Sequence, residues 1–96
     1  MKFEWDLEKE KRNRQKHKIS FDEACYVFAD RFALNLFDAD HSTDEERWIT
    51  LGQLGNGVII AVSHTFRKAK DMELVRIISA RKATKNEMKQ YIERRR

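Results

Sequence analysis

A chain of 96 residues has room for one domain with a modest core, and with 41% hydrophobic and 38% charged residues it is too apolar for disorder yet unusually charged. The formal net charge of +4, from 20 Lys+Arg against 16 Asp+Glu, favours a phosphate-bearing partner over an acidic role. One cysteine excludes an internal disulfide, and no run nears the ~20 apolar residues of a membrane span, so a cytoplasmic protein without a signal peptide or membrane contact is expected.

Residues Lys2–Trp5 read as a short strand or extended lead-in, with Phe3 and Trp5 alternating with polar neighbours. Asp6 is placed to cap a helix over Leu7–Lys18, a stretch rich in Glu, Lys, Arg and Gln. Six of the ten residues from Lys9 to Lys18 are Lys or Arg, and Leu7 is the only strong hydrophobe in the segment. Packing alone does not account for such a composition. Ser20-Phe21-Asp22-Glu23 is a capping box that opens a second helix reaching Phe28. Phe21, Ala24, Cys25 and Phe28 then fall on one face at helical period, which makes Cys25 a small core residue rather than a nucleophile.

The period changes after Asp30. Phe32–Phe37 suits a strand, Asp38–Glu46 reads as an exposed loop with five acidic residues, and Arg47–Leu51 alternates as a strand. Gly55-Asn56-Gly57 is a turn signal between two strand-like runs. Val58–Val62 is continuously apolar, in a strand with room to reach Phe66, Arg67–Asp71 is a polar connection, and Leu74–Ala80 is a second nearly continuous apolar run. Thr84-Lys85-Asn86-Glu87 is another capping box, opening a helix whose apolar contacts are Met88, Tyr91 and Ile92. The expected architecture is α+β, over one domain at 1–96. An antiparallel sheet of about four strands packs with two N-terminal helices and one C-terminal helix.

Metal-ligand spacings, Gly-rich phosphate loops and nucleophile signatures are all missing from the sequence, so neither a metal nor a cofactor is expected. The residues present suit chemistry that needs only positioned cations and proton-transfer groups. Metal-independent RNA cleavage is such a reaction, because the attacking nucleophile is the RNA's own 2′-hydroxyl. Asn13, Lys16 and His17 share a helix face, which Lys9 extends by one turn. A cationic setting there would help Lys16 or His17 move a proton near neutral pH. From the sheet come Arg47 beside Glu46, and Arg76 and Arg81 at the two ends of one segment. Arginine grips phosphate in a bidentate fork, although an internal carboxylate such as Glu46 or Asp30 is an equal candidate partner for Arg47. Strict alternation puts Arg76 and Arg81 on opposite faces, and only a bulge or the strand's end would bring them together. His64 reads as a surface or structural histidine, and Trp5 and Trp48 as core.

Several segments in order carry a family resemblance. They are Phe3-Glu4-Trp5-Asp6, Asn13 with Lys16-His17, Ser20-Phe21-Asp22-Glu23-Ala24, Val27-Phe28-Ala29-Asp30, Glu46-Arg47-Trp48, and Arg76-Ile77-Ile78-Ser79-Ala80-Arg81 with Ala83-Thr84. Together they resemble the BrnT family of type II toxins, which is similar in fold to the RelE ribonucleases. Lys18 departs from the pattern, which commonly has glycine after Lys-His. The resemblance implies a ribonuclease toxin that slows translation. It also implies a neighbouring BrnA-like antitoxin with a ribbon-helix-helix portion, so that DNA is reached only through the antitoxin. In that scheme Lys16, His17, Glu46, Arg47 and Arg76 are catalytic, with Lys9, Asn13 and Arg81 on the RNA. The competing readings are a non-catalytic nucleic-acid or partner-binding module, and a decayed toxin that survives only as a complex partner.

Overall fold

The computed structural model describes residues 1–95, which leaves Arg96 of the basic C-terminal run outside the described residues. The elements in chain order are β1 (Lys2–Glu4), α1 (Leu7–His17), α2 (Phe21–Ala24) continuing as a 3₁₀ turn over Cys25–Ala29, and β2 (Leu34–Phe37). A short 3₁₀ turn at Ala39–His41 follows, then β3 (Trp48–Gln53), β4 (Ile59–Ala69), β5 (Met72–Lys82) and α3 (Lys85–Arg95). The α+β expectation holds. The sheet, however, has five strands in the order β1-β5-β4-β3-β2 and is mixed, because β1 pairs with β5 in parallel. Lys2–Glu4 is therefore a full member of the sheet, recruited to one edge by Phe3 packing over Val75.

The sheet separates two apolar clusters. On one face Ile19, Phe21, Ala24 and Val27 meet Ile60, Val62, Val75, Ile77 and Ala80. On the other, Tyr91 of α3 packs on Leu51 and Ala61. At Gly52 the 3₁₀ turn comes so close that an added Cβ would sit 2.6 Å from Val27 Cβ, so only glycine admits that approach. Both capping boxes form: Ser20 and Glu23 bond each other's main chain, as do Thr84 and Glu87.

Three local features depart from the expected pattern. The second helix is shorter than expected and tightens to 3₁₀ from Cys25, whose Sγ donates to Phe21 O at 3.2 Å. The segment 67–71 is not a connection. β4 and β5 run on through it and turn at Lys70-Asp71, with Lys70 at φ 56°. Finally, the β4–β5 register shifts between Ser63 and His64, so that Ser63 faces Ser79 while His64 faces Ile77. Ile78 is thus an extra residue in β5, the signature of a bulge.

Candidate active site on the open face of the sheet

That bulge reorganises the basic residues. Directly paired residues share a face of the sheet, and Arg76 pairs with Thr65 while Arg81 pairs with Ala61. Residues 61, 63 and 65 alternate with the buried Val62 and His64, so Arg76 and Arg81 both lie on the face that carries α3. The same register aligns a row across the sheet. Glu4 pairs with Arg76, and Arg76 with Thr65. One step beyond the pair Trp48–His64, Arg47 stands beside Thr65. Main-chain pairing continues past Arg47, which accepts from Asp38 N at 2.9 Å. α3 covers only the end of this face near Leu51 and Ala61, which leaves Arg76 and Glu4 exposed and Arg47 and Thr65 half-buried.

The two row arginines are held differently from the third. Arg81 is locked: its Nη1 and Nη2 donate to Glu87 Oε1 and Oε2 at 2.7 and 3.1 Å. This fork raises the Arg81 pKa and lowers that of Glu87, and it fixes the N-terminus of α3 to β5. Among the described residues, by contrast, neither Arg47 nor Arg76 forms a salt bridge. Arg47 Nε is buried with no hydrogen-bond partner, a costly state that an anionic ligand at its guanidinium would relieve. Two uncompensated guanidinium groups flanking a threonine hydroxyl form a ready cradle for phosphate oxygens.

The model of the family described as "Ribonuclease toxin, BrnT, of type II toxin-antitoxin system" matches residues 5–87. The chain belongs to the BrnT family. Among solved structures, it is similar to the BrnT ribonuclease toxin of Brucella abortus, with 26% identity and a TM-score of 0.61 over 88% of this chain and 99% of that one. A search of curated proteins gave no match. The BrnT family is one of ribonuclease toxins of type II toxin–antitoxin systems, and an RNA substrate and an antitoxin partner accompany that membership.

Against this BrnT fold, the residues expected at the site are not all brought together. Arg47 and Arg76 meet in the row. Lys9, Lys16 and His17 lie on α1, which packs along β5, and among the described residues their side chains form no hydrogen bond or ion pair. Lys9 and Lys16 are exposed and His17 is half-buried.

Asn13 is corrected to a structural residue. Its amide donates to Ile19 O at 3.2 Å and Ala80 O at 2.9 Å and accepts from Ala80 N at 3.1 Å. It is 6% exposed, so it is spent on the β5 edge where β1 has ended rather than offered to RNA. Arg81 is engaged as well: its fork is filled by Glu87. Glu46 is on the wrong face to orient Arg47, for it lines a pocket on the helix-covered face with Phe28, Trp48, His64 and Phe66. The single-residue alternation of a strand separates the two neighbours.

His64 proves structural. It is 5% exposed, edge-on to Phe28 at 4.9 Å between ring centres, and hydrogen-bonded through Nε2 to Thr50 Oγ1 at 2.7 Å. Burial pushes its pKa down to about 4, against a smaller opposing main-chain hydrogen bond at Thr65. Asp30, considered as a partner for Arg47, instead accepts from Tyr91 OH and from the main-chain nitrogens of Gln53 and Phe32.

Residues that sequence patterns passed over are Glu4, Thr65, Asp38 and His41. Glu4, Thr65 and Asp38 line up with the arginines through cross-strand pairing, which has no local signal, and His41 lies beside Asp38 in the following 3₁₀ turn. Among the described residues no three His, Cys, Asp or Glu side chains gather to hold a metal ion, and no helix is long and apolar enough to cross a membrane.

Proposed function

We propose that this chain is a cytoplasmic endoribonuclease toxin that cleaves RNA without a metal ion and thereby inhibits translation. The observation that carries the proposal is the Arg47–Thr65–Arg76 row on an open sheet face, with two guanidinium groups that form no salt bridge among the described residues. A phosphodiester laid on this row gains charge neutralisation where negative charge grows on phosphorus in the transition state. The 2′-hydroxyl attacks phosphorus, the bond to the 5′-oxygen breaks, and a 2′,3′-cyclic phosphate is left. DNA has no such hydroxyl and is spared. Lys9 and Lys16, exposed on α1, lengthen the track for the strand. In this scheme His17 and Lys16 remain candidates for proton transfer from the β5 edge.

The partner is a BrnA-like antitoxin with a ribbon-helix-helix portion, through which alone the complex touches DNA. A RelE-like use of the open sheet face fits a sheet packed on one side by α1 and α2 and left partly free on the other.

The test is incubation of the purified chain with end-labelled RNA in EDTA, with and without the antitoxin encoded beside it. Cleavage that persists in EDTA, leaves 2′,3′-cyclic phosphate ends and stops with antitoxin is expected. RNA that is bound yet intact, both alone and in a translation extract, would turn the assignment to a binding module.

A further inference from the structure

Next to Arg47, the loop expected to be merely acidic and solvated holds an ordered pair. His41 Nδ1 lies 2.9 and 3.1 Å from the two carboxylate oxygens of Asp38. The Asp38 side chain is 14% exposed and that of His41 is 66% exposed, so the carboxylate is tucked under a ring whose far edge is open to a substrate. The loop is tied to the row. Asp38 N donates to Arg47 O at 2.9 Å, Arg47 N donates to Ser42 Oγ at 2.9 Å, and Ser42 Oγ donates to Asp38 O at 2.6 Å. Asp38 follows Phe37, which pairs with Trp48 on the helix-covered face, so strand alternation turns its side chain to the open face with Arg47.

Resting on the ribonuclease reading above, we propose that His41 is the general base of the reaction and that Asp38 is its positioning residue. A carboxylate at Nδ1 holds the proton on that nitrogen and leaves the Nε2 lone pair free. Nε2 takes the proton of the 2′-hydroxyl as its oxygen bonds to phosphorus. The bond from phosphorus to the 5′-oxygen breaks, and that oxygen takes a proton from water. The imidazolium, stabilised meanwhile by Asp38, returns its proton to solvent, so the histidine is regenerated. Arg47 and Arg76 hold the phosphate beside it, and Asp38, at the end of their row, carries the base in the turn that follows. Neither Glu46 nor His64 competes for this place, since both face the opposite side of the sheet.

Wild type, His41→Gly, Asp38→Asn and Arg47→Ala are compared on labelled RNA and in a translation extract, with affinity read from a 2′-deoxy-substituted, uncleavable strand. A general base contributes about 100-fold or more. His41→Gly is therefore expected to lose about 100-fold in kcat with affinity for the uncleavable strand kept, and to regain activity when imidazole is added. Asp38→Asn is expected to lower kcat at unchanged KM, whereas Arg47→Ala weakens binding. His41→Gly cutting within a few-fold of wild type, or a loss that imidazole does not rescue while the variant stays folded, overturns the role of His41 and leaves the ribonuclease reading standing. A wild-type chain that cuts RNA in neither assay overturns both.

Discussion

A neutral imidazole lies beneath the sheet at position 64, and its environment sets an acid limit on the fold. Burial lowers the His64 pKa to about 4, whereas in the unfolded chain it titrates at its ordinary 6.5. The unfolded state therefore takes up a proton first as pH falls. The contribution of neutral His64 to stability is complete above about pH 6.5 and is lost progressively towards about pH 4. Denaturant melts at pH 7 and pH 5 are expected to show a fall in stability for wild type, and a smaller fall for His64→Gln. Equal falls would contradict a neutral, buried His64. Asn13 makes the complementary point. A polar side chain on a basic helix suggests a surface, yet its three hydrogen bonds to main chain make it the residue that fastens α1 to the exposed edge of β5.

At the scale of elements, the helix starts were open to inspection because a capping box is a local code. Ser20 with Glu23 and Thr84 with Glu87 act within three residues of each other. The C-terminus of α1 is different. Lys18 sits at φ 61° and ψ 28°, a left-handed conformation, and its N–H reaches Arg14 O. A lysine there costs roughly 1 kcal/mol relative to glycine. Lys18→Gly is therefore expected to raise the unfolding free energy by about 0.5–1 kcal/mol, measured by chemical denaturation. A loss of stability would show that the lysine side chain is itself needed at the turn.

Strands and turns were legible where alternation and Gly55-Asn56-Gly57 marked them. The parallel docking of β1 and the bulge at Ile78 were not, because both depend on which strand is the neighbour. That same register decides the site. Arg76 and Arg81, five residues apart, belong on opposite faces by simple alternation and share one only because Ile78 is extra. Glu46 and Arg47, adjacent in the chain, are separated by the sheet. Arg47 and Arg76 were legible as candidates from their type and place in strands, while the Asp38–His41 pair was hidden in a loop whose acidity suggested only solvation.

For the molecule as a whole, a modest net charge of +4 conceals a division of labour between two faces. One is closed by α1, α2 and the 3₁₀ turn and contains most of the buried apolar residues. The other is closed only at one end by α3, through Tyr91 and the Arg81–Glu87 fork, and exposes cations along a row that begins at Asp38 and ends at Glu4. α3 thus acts as a strut that defines the end of the open face, and α1 lines the edge beside it with further positive charge. Membership of the BrnT family and this arrangement both support the proposal that RNA is the ligand of the open face.

The most direct measurement of that claim is the initial rate of RNA cleavage by Arg76→Ala beside wild type and Lys9→Ala, with melting temperatures recorded for all three. Losing a preorganised cation at the reacting phosphate should cost about 100-fold. Arg76→Ala is thus predicted to fall by about that factor at an unchanged melting temperature, while Lys9→Ala stays within a few-fold of wild type. Cleavage by Arg76→Ala at the wild-type rate would contradict the placement of the active site on this face of the sheet.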